Sequence, residues 1–501
     1  MMVNTDNRLS MAALLVALFF SVLVIVAGAQ GVRGTDQYNY LADTRTTLDQ
    51  QAHVTNLLFP AKLIREGDSP TPAYFHHNGP PIQVAAWLGR WSGAYAGWIL
   101  MNLLAHMIVG LSVYALARKV ATQRIALWTT SLYLVSPSAI WLGINVLQEM
   151  FFAGLLALVL VGFVYRSRPA ILALGSMALL VGVLCHPIFQ AAALLLSVYV
   201  AIESMLARRY VLVCAALVNL GAVLFLMSQQ GSWYPSSFQP DLTAIITSSI
   251  PGESNMFWHY SLEQRSISVQ LLIDKLIASS KRHFLKPFEA PFFLYTNLAV
   301  VCLIYLAFRH MRQTWQLLLP VCLFLGLYAG MIVLQQNQPR YQQIVAVASF
   351  TAIALAWARS GFRIPDYALA IFLAGNLALG GYLSFSAAQD AQKESDSLEQ
   401  FLIRLVDEGV EADARVAAFD LSPHSPLAVT LKPRQLLSIR TDMMSPDDIS
   451  YVLSLYKPTH ILVKADIDDA QLSSMIRVDL PDRAVLDNTF FGDLQLMTPN
   501  Q

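Results

Sequence analysis

Positive charge recurs in every second gap between this chain's long apolar runs, and few folds satisfy that pattern. Arg8 precedes the first run, and Arg118, Lys119 and Arg124 fill a later gap, followed by Arg166 and Arg168, Arg208 and Arg209, Arg309 and Arg312, and Arg359 and Arg363. About 20 apolar residues cross a hydrocarbon core of about 30 Å. Runs of this kind are read near 11–29, 95–117, 124–143, 147–165, 169–185, 188–205, 210–228, 291–308, 315–335, 341–358 and 365–386. Lys and Arg close to span ends are retained on the cytoplasmic side. The alternation therefore predicts a polytopic α-helical protein of the plasma (inner) membrane with about eleven transmembrane helices and a cytoplasmic N-terminus. Residues 30–94, 229–290 and everything beyond about 386 are then extracytoplasmic.

Composition agrees, because only 13% of the 501 residues are charged, about half the share of a soluble domain. A formal net charge of zero argues against nucleic acid as a partner, which would favour a basic surface. Cys185, Cys214, Cys302 and Cys322 all lie in or beside expected spans, so no disulfide framework is implied for the exported segments. The "VAGAQ" at 26–30 is similar to a signal-peptidase site, but the apolar run from Met11 is longer than a signal core and reads as an uncleaved anchor.

Two domains are expected: a transmembrane domain over 1–386 and an extracytoplasmic domain over 387–501. In the first exported stretch, "TNLLFPAKLIREG" places Leu57, Leu58, Ala61 and Ile64 near helical spacing, as for a helix lying along the membrane surface. In the second, "SLEQRSISVQLLIDKLIASSKRHFLKPF" reads as an amphipathic helix with Leu271, Ile273 and Ile277 on its apolar side and Lys275, Lys281 and Arg282 exposed. The tail begins with a charged helical link and alternates strand and helix signals: "ARVAAFD", "RQLLSI", the "SPDD" helix start before "ISYVLSLY", "THILVKA" and "DLQLM". That pattern predicts a small α/β domain.

Polar groups inside or beside membrane spans are costly and tend to serve function. By the charge alternation they gather on the outer side. Asp36 and Tyr38 follow the first span in "GTDQYNYL", and "YFHHNGPPIQ" supplies His76, His77 and Asn78 before a stiff Pro-Pro pair. Gln148 and Glu149 open a span in "NVLQEMFF", His186 lies in the tight turn "LCHPIF", and Arg340 and Tyr341 stand in "QQNQPRYQQ". Each has a simpler use taken alone: Glu149 complements a helix dipole, Arg340 snorkels to the interface, and His186 before proline is a turn residue. Their shared side favours function.

These elements, in this order over residues 9–360, resemble the GT-C superfamily of integral-membrane glycosyltransferases, which includes protein O-mannosyltransferases and the lipid A aminoarabinose transferase. The resemblance rests on "DQYNY", "AKLIREG", "HHNGPPIQVAAWL", "QEMFF" and "QPRYQQIVAV". One departure is Gln37, which stands where members often carry a second acid.

The resemblance implies transfer of a sugar from a polyprenyl-phosphate or diphosphate donor to a lipid, glycan or protein acceptor outside the membrane, usually with inversion. Such a reaction needs a carboxylate to take the acceptor hydroxyl's proton, for which Asp36 is the candidate. It also needs cations for the departing phosphate, with Arg340 leading and Lys281 and Arg282 secondary. Tyr38, His76, His77, Asn78, Gln148, Glu149, His186 and Tyr341 are then pocket residues. The residues specify no definite cofactor. A divalent metal is a second use for the histidines, although none shows the spacing of two ligands on one helical turn. The rival readings are an O-antigen polymerase or ligase, whose large exported loop comes late in the chain, and a transporter or lipid flippase, expected to show broken mid-membrane helices and inverted repeats.

Overall fold

The computed structural model describes residues 7–32, 35–50, 57–58, 60, 63, 79–185, 187–233, 268–285, 294–310, 326, 339–407, 410, 413–421, 431, 435–442, 444–464, 482–486 and 494–498. Two compact units are present: one of residues 1–29, 99–231 and 276–387, the other of residues 30–98, 232–275 and 388–501.

The first unit is helical. Its apolar runs form the helices Arg8–Gly28, Ala94–Val120 (from Ile99 onward), Gln123–Leu134, Pro137–Gly143, Glu149–Val164, Pro169–Cys185, Pro187–Leu206, Tyr210–Trp233, Leu294–His310 and Ala346–Ser360, and the first half of Asp366–Asp407. Among the described residues six helices, or seven if a bent pair counts as one, are long and apolar enough to cross a membrane. The protein is a multi-pass membrane protein. Three shorter apolar helices, Glu149–Val164, Pro169–Cys185 and Leu294–His310, occupy other expected spans, and the run at 315–335 lies outside the described residues apart from Gly326.

The run read as a single span over 124–143 is instead a pair of helices bent by 48°. Ser136 and Pro137 explain the break: Pro137 has no amide hydrogen to continue the first helix and its ring favours the first turn of the next. Asn102 covers the far end of the pair, donating from Nδ2 to the carbonyls of Leu142 (3.3 Å) and Asn145 (2.6 Å).

Two ion pairs fasten helix ends. Arg124 pairs with Asp366 at 2.6 Å, and the same carboxylate accepts from Trp128 Nε1 at 2.9 Å. Arg166 Nη2 reaches both oxygens of Glu203 at 2.6 Å, with its guanidinium 5.0 Å from the Phe163 ring centre. Between Glu149–Val164 and Pro169–Cys185, Gly162 and Gly175 allow backbone contact; a Cβ on Gly162 would lie 2.7 Å from Gly175 Cα.

The second unit contains a six-stranded sheet, β1 (Leu57–Leu58), β2 (Val416–Phe419), β3 (Leu436–Ile439), β4 (His460–Lys464), β5 (Asp482–Leu486) and β6 (Leu494–Thr498), in the order β1-β3-β2-β4-β6-β5. The first four in that order run parallel, and β6 is antiparallel to both β4 and β5. Every residue of β2 and β3 is buried, as befits strands inside a parallel sheet. The helix Pro446–Tyr456 starts as its sequence predicts, with Ser445 Oγ accepting from Asp448 N, and packs Ile449, Val452 and Tyr456 into the same core as Phe419, Leu437 and Ile461.

Two sequence expectations need correction here, and one strand is new. Leu57 and Leu58 form an edge strand paired with Leu436 and Leu437, because an open sheet edge overrides a short local helical period. The strand Asp482–Leu486 had no assignment from its sequence. The span at 365–386 and the charged link after it are one 42-residue helix, Asp366–Asp407.

The helix Val269–Leu285 is amphipathic as expected, but the sides differ from the reading. Ile273 and Ile277 are 44% and 47% exposed, whereas Lys275 is 3% exposed. Among the described residues nothing covers the apolar stripe, as on a helix whose apolar face meets lipid, and burial lowers the Lys275 pKa to about 8.

Candidate active site

Within the helical unit, the polar residues singled out at two distant places in the sequence meet. Glu149 lies in the first turn of Glu149–Val164, where the exposed amides of a helix start favour an acid. Arg340 begins a 3₁₀ turn, Pro339–Val345, that runs into the helix Ala346–Ser360. Arg340 Nε and Glu149 Oε1 are 3.1 Å apart, and the two side chains are 14% and 2% exposed.

Tyr341 completes the corner. Its ring centre is 5.2 Å from the Arg340 guanidinium carbon, and its hydroxyl accepts from Nη2 at 3.4 Å. The ring and the carboxylate together restrict a side chain that otherwise has four torsions to lose, so the guanidinium is held ready rather than ordered on binding. Gln148, at the helix N-cap, is buried, and its Oε1 has no hydrogen-bond donor among the described residues.

The corner is chemically suited to an oxyanion. A guanidinium close to a buried carboxylate keeps its charge, presents planar donors and sits at the mouth of an apolar helix. Gln342 and Gln343, 2% and 1% exposed, line the same 3₁₀ turn. These glutamines had no individual reading in the sequence, and neither did Asn102 and His106 inside the Ala94–Val120 helix, both fully buried. The available signal was polarity at positions an apolar span should fill with Leu or Val.

The sheet unit holds the other sequence-identified acid. Asp36 and Tyr38 belong to the first turn of the helix Thr35–Gln50, and their side chains lie outside the described residues. The face of this helix against Trp98 is well defined: Trp98 Nε1 donates to Thr44 Oγ1 at 2.7 Å, and the Tyr40 and Trp98 rings lie 5.6 Å apart. Asp43, which sequence reasoning missed, is 1% exposed in the same helix. It stands seven residues after Asp36, two helical turns along one face.

The remaining candidates divide simply. Lys281 is exposed on Val269–Leu285, and Arg282 lies in that helix with its side chain outside the described residues. His76, His77, Asn78 and His186 also lie outside the described residues. Among the described residues no group of three or more His, Cys, Asp or Glu side chains is arranged to hold a metal ion.

No protein-family model matches the chain, and no curated protein matches it in sequence. Solved structures do match its fold. ArnT from Cupriavidus metallidurans bound to undecaprenyl phosphate superposes with a TM-score of 0.59 at 14% identity, covering 98% of each chain. The apo form of that protein gives 0.55 at 14% identity over 97% of each chain. The oligosaccharyltransferase AglB from Archaeoglobus fulgidus, in complex with an inhibitory peptide and a dolichol-phosphate, gives 0.53 at 12% identity over 94% of this chain and 71% of its own. The chain shares the fold of these structures.

Proposed function

We propose that this protein is a GT-C glycosyltransferase that moves a sugar from a polyprenyl-phosphate or diphosphate donor to an acceptor on the extracytoplasmic face, with inversion. The observation that carries this reading is the Arg340–Glu149 corner: a preorganised guanidinium at the start of a membrane helix, in a fold shared with a protein solved with undecaprenyl phosphate bound.

In this reaction an acceptor hydroxyl forms a bond to the anomeric carbon as the bond from that carbon to the phosphate oxygen breaks. Asp36 takes the hydroxyl proton, which raises the nucleophilicity of an otherwise poor attacking group. The electron pair of the broken bond leaves with the phosphate, and Arg340 stabilises the charge that develops there. Glu149 and Tyr341 hold Arg340 in place, and Lys281 and Arg282 supply further positive charge to the phosphate. Tyr38, His76, His77, Asn78, Gln148 and His186 shape the pocket for sugar and phosphate.

The orientation belongs to the same proposal: N-terminus cytoplasmic, residues 1–386 as the catalytic membrane domain, and residues 387–501 as an extracytoplasmic α/β domain. Its support is that residues 30–98, 232–275 and 388–501 form one compact unit, which takes in most of the segments 30–94, 229–290 and beyond 386 that the Lys and Arg alternation assigns to a single side. Cysteine-accessibility labelling that places residues 229–290 in the cytoplasm would overturn it.

The deciding assay incubates the purified chain with a panel of polyprenyl-phosphate sugars and follows donor consumption. Asp36→Asn should abolish transfer while inserting and melting as the wild type does. Near-normal turnover by that variant removes Asp36 from the role of base.

A further inference from the structure

Arg340 and Gln343 are three residues apart on a 3₁₀ turn. Since that helix repeats every three residues, the two side chains stack on one side of it. Gln343 is bonded at both ends of its amide. Its Nε2 donates to Tyr133 Oη at 3.1 Å, and its Oε1 accepts from Ser138 Oγ at 3.2 Å. The Tyr133 oxygen, having accepted from Gln343, also lies within hydrogen-bond distance of His106 Nδ1, at 3.3 Å, with the donor set by the imidazole tautomer.

The chain of contacts thus runs His106, Tyr133, Gln343, Ser138, drawing on three membrane helices and the turn. All four residues are buried. Tyr133 is fixed further by its rings' neighbours: the His106 imidazole is stacked at 5.2 Å and Phe350 meets it edge-on at 5.5 Å.

We infer that this buried relay is a positioning device for the proposed donor site, in which Tyr133 and Gln343 set the 3₁₀ turn and thereby hold Arg340 against Glu149. The inference rests on reading Arg340 as the cation for donor phosphate. Apolar side chains of similar volume would pack the same space without any polar group to satisfy in the hydrocarbon region. What they would not do is fix the rotation of the turn, because packing alone leaves a short 3₁₀ segment free to relax toward the α-helical twist of the residues that follow it. Hydrogen bonds at both ends of the Gln343 amide prevent that rotation, and a rotation of the turn would swing the long Arg340 side chain at its start.

The test uses the full-length protein in nanodiscs with undecaprenyl phosphate as the probe, and reads its Kd for wild type, Tyr133→Phe, Arg340→Ala and the double variant. Tyr133→Phe keeps both ring contacts and removes only the hydroxyl. It should weaken binding about three- to tenfold, the worth of one or two buried hydrogen bonds. In the Arg340→Ala background it should have no further effect, because the relay acts through Arg340.

If Tyr133→Phe binds as wild type, or costs the same factor with and without Arg340, the positioning role is wrong even though the phosphate role stands. If Arg340→Ala itself leaves binding unchanged, the phosphate role fails and this inference falls with it. Should Tyr133→Phe fail to insert, Gln343→Met, which keeps the length and loses both hydrogen bonds, takes its place in the same cycle with the same expected outcome.

Discussion

Among the described residues the helical unit holds two Arg–Glu pairs, one half-buried and one with its carboxylate fully buried, and they are built differently. Arg166 grips Glu203 with one Nη reaching both carboxylate oxygens at 2.6 Å, an interaction that fixes the turn after Glu149–Val164 to the end of Pro187–Leu206. Arg340 meets Glu149 through Nε, at 3.1 Å and along the edge of the guanidinium. The first pair is a clasp whose geometry is complete in itself. Both guanidiniums lie against an aromatic ring, Phe163 at 5.0 Å and Tyr341 at 5.2 Å, but the turn that carries the second is also bonded to a polar relay drawn from three helices. Buried ion pairs add little net stability over apolar packing, so an elaborately supported one is better understood as a device for holding a charge in a chosen place.

Breaking each pair separates the two roles. The largest effect is expected from Glu203→Ala, which leaves the half-buried Arg166 opposite no carboxylate and should cost about 2 kcal/mol of stability, the range for losing a hydrogen-bonded charged partner. Thermal melting in detergent reads that loss, while undecaprenyl phosphate affinity of the folded protein stays at the wild-type value; a parallel fall in affinity would erase the distinction. Next comes Arg340→Ala, expected to weaken undecaprenyl phosphate binding by about tenfold or more, the range of a charge-assisted hydrogen bond; unchanged binding would remove Arg340 from the phosphate role. Glu149→Gln keeps the shape and an acceptor but drops the charge. A loss of about fivefold in the same binding assay is expected from the weaker hold on Arg340, and wild-type affinity would show that Tyr341 alone suffices.

The smallest effect concerns Lys275, a cation that burial disfavours. In the folded protein its pKa falls from 10.5 to about 8. Between those values the unfolded chain holds the proton and the folded one has released it, so stability rises with pH across that window. Replacing it by Met should flatten this part of the pH–stability curve. An unchanged slope would mean that Lys275 is not the group responsible.

The sequence makes the helices legible because apolar length is a local property, and it makes the Gln148–Glu149 and Arg340–Tyr341 positions legible because polar residues at the start of a span are conspicuous. What joins them is not local. Tyr133 and Gln343 are 210 residues apart, and nothing in either neighbourhood specifies the other. The sheet divides in the same way: β2, β3, β4 and β6 follow from their own patterning, whereas β1 is a strand only because β3 offers it an edge. Lys275 shows a further limit. An amphipathic pattern gives a helix two sides, but in a membrane protein it does not say whether lipid or protein takes the apolar one.

The Asn102 amide has a consequence for how the chain is made. It donates to carbonyls 40 and 43 residues further along, and those residues leave the ribosome later. When the Ala94–Val120 segment first enters the bilayer, the groups that Asn102 will bind have not yet reached it. The bent pair Gln123–Leu134 and Pro137–Gly143, with the backbone ladder interrupted at Pro137, must then arrive against a helix already in place. Insertion of this stretch is therefore ordered in time: the earlier helix waits with its polar side chain, and the later, broken one completes both.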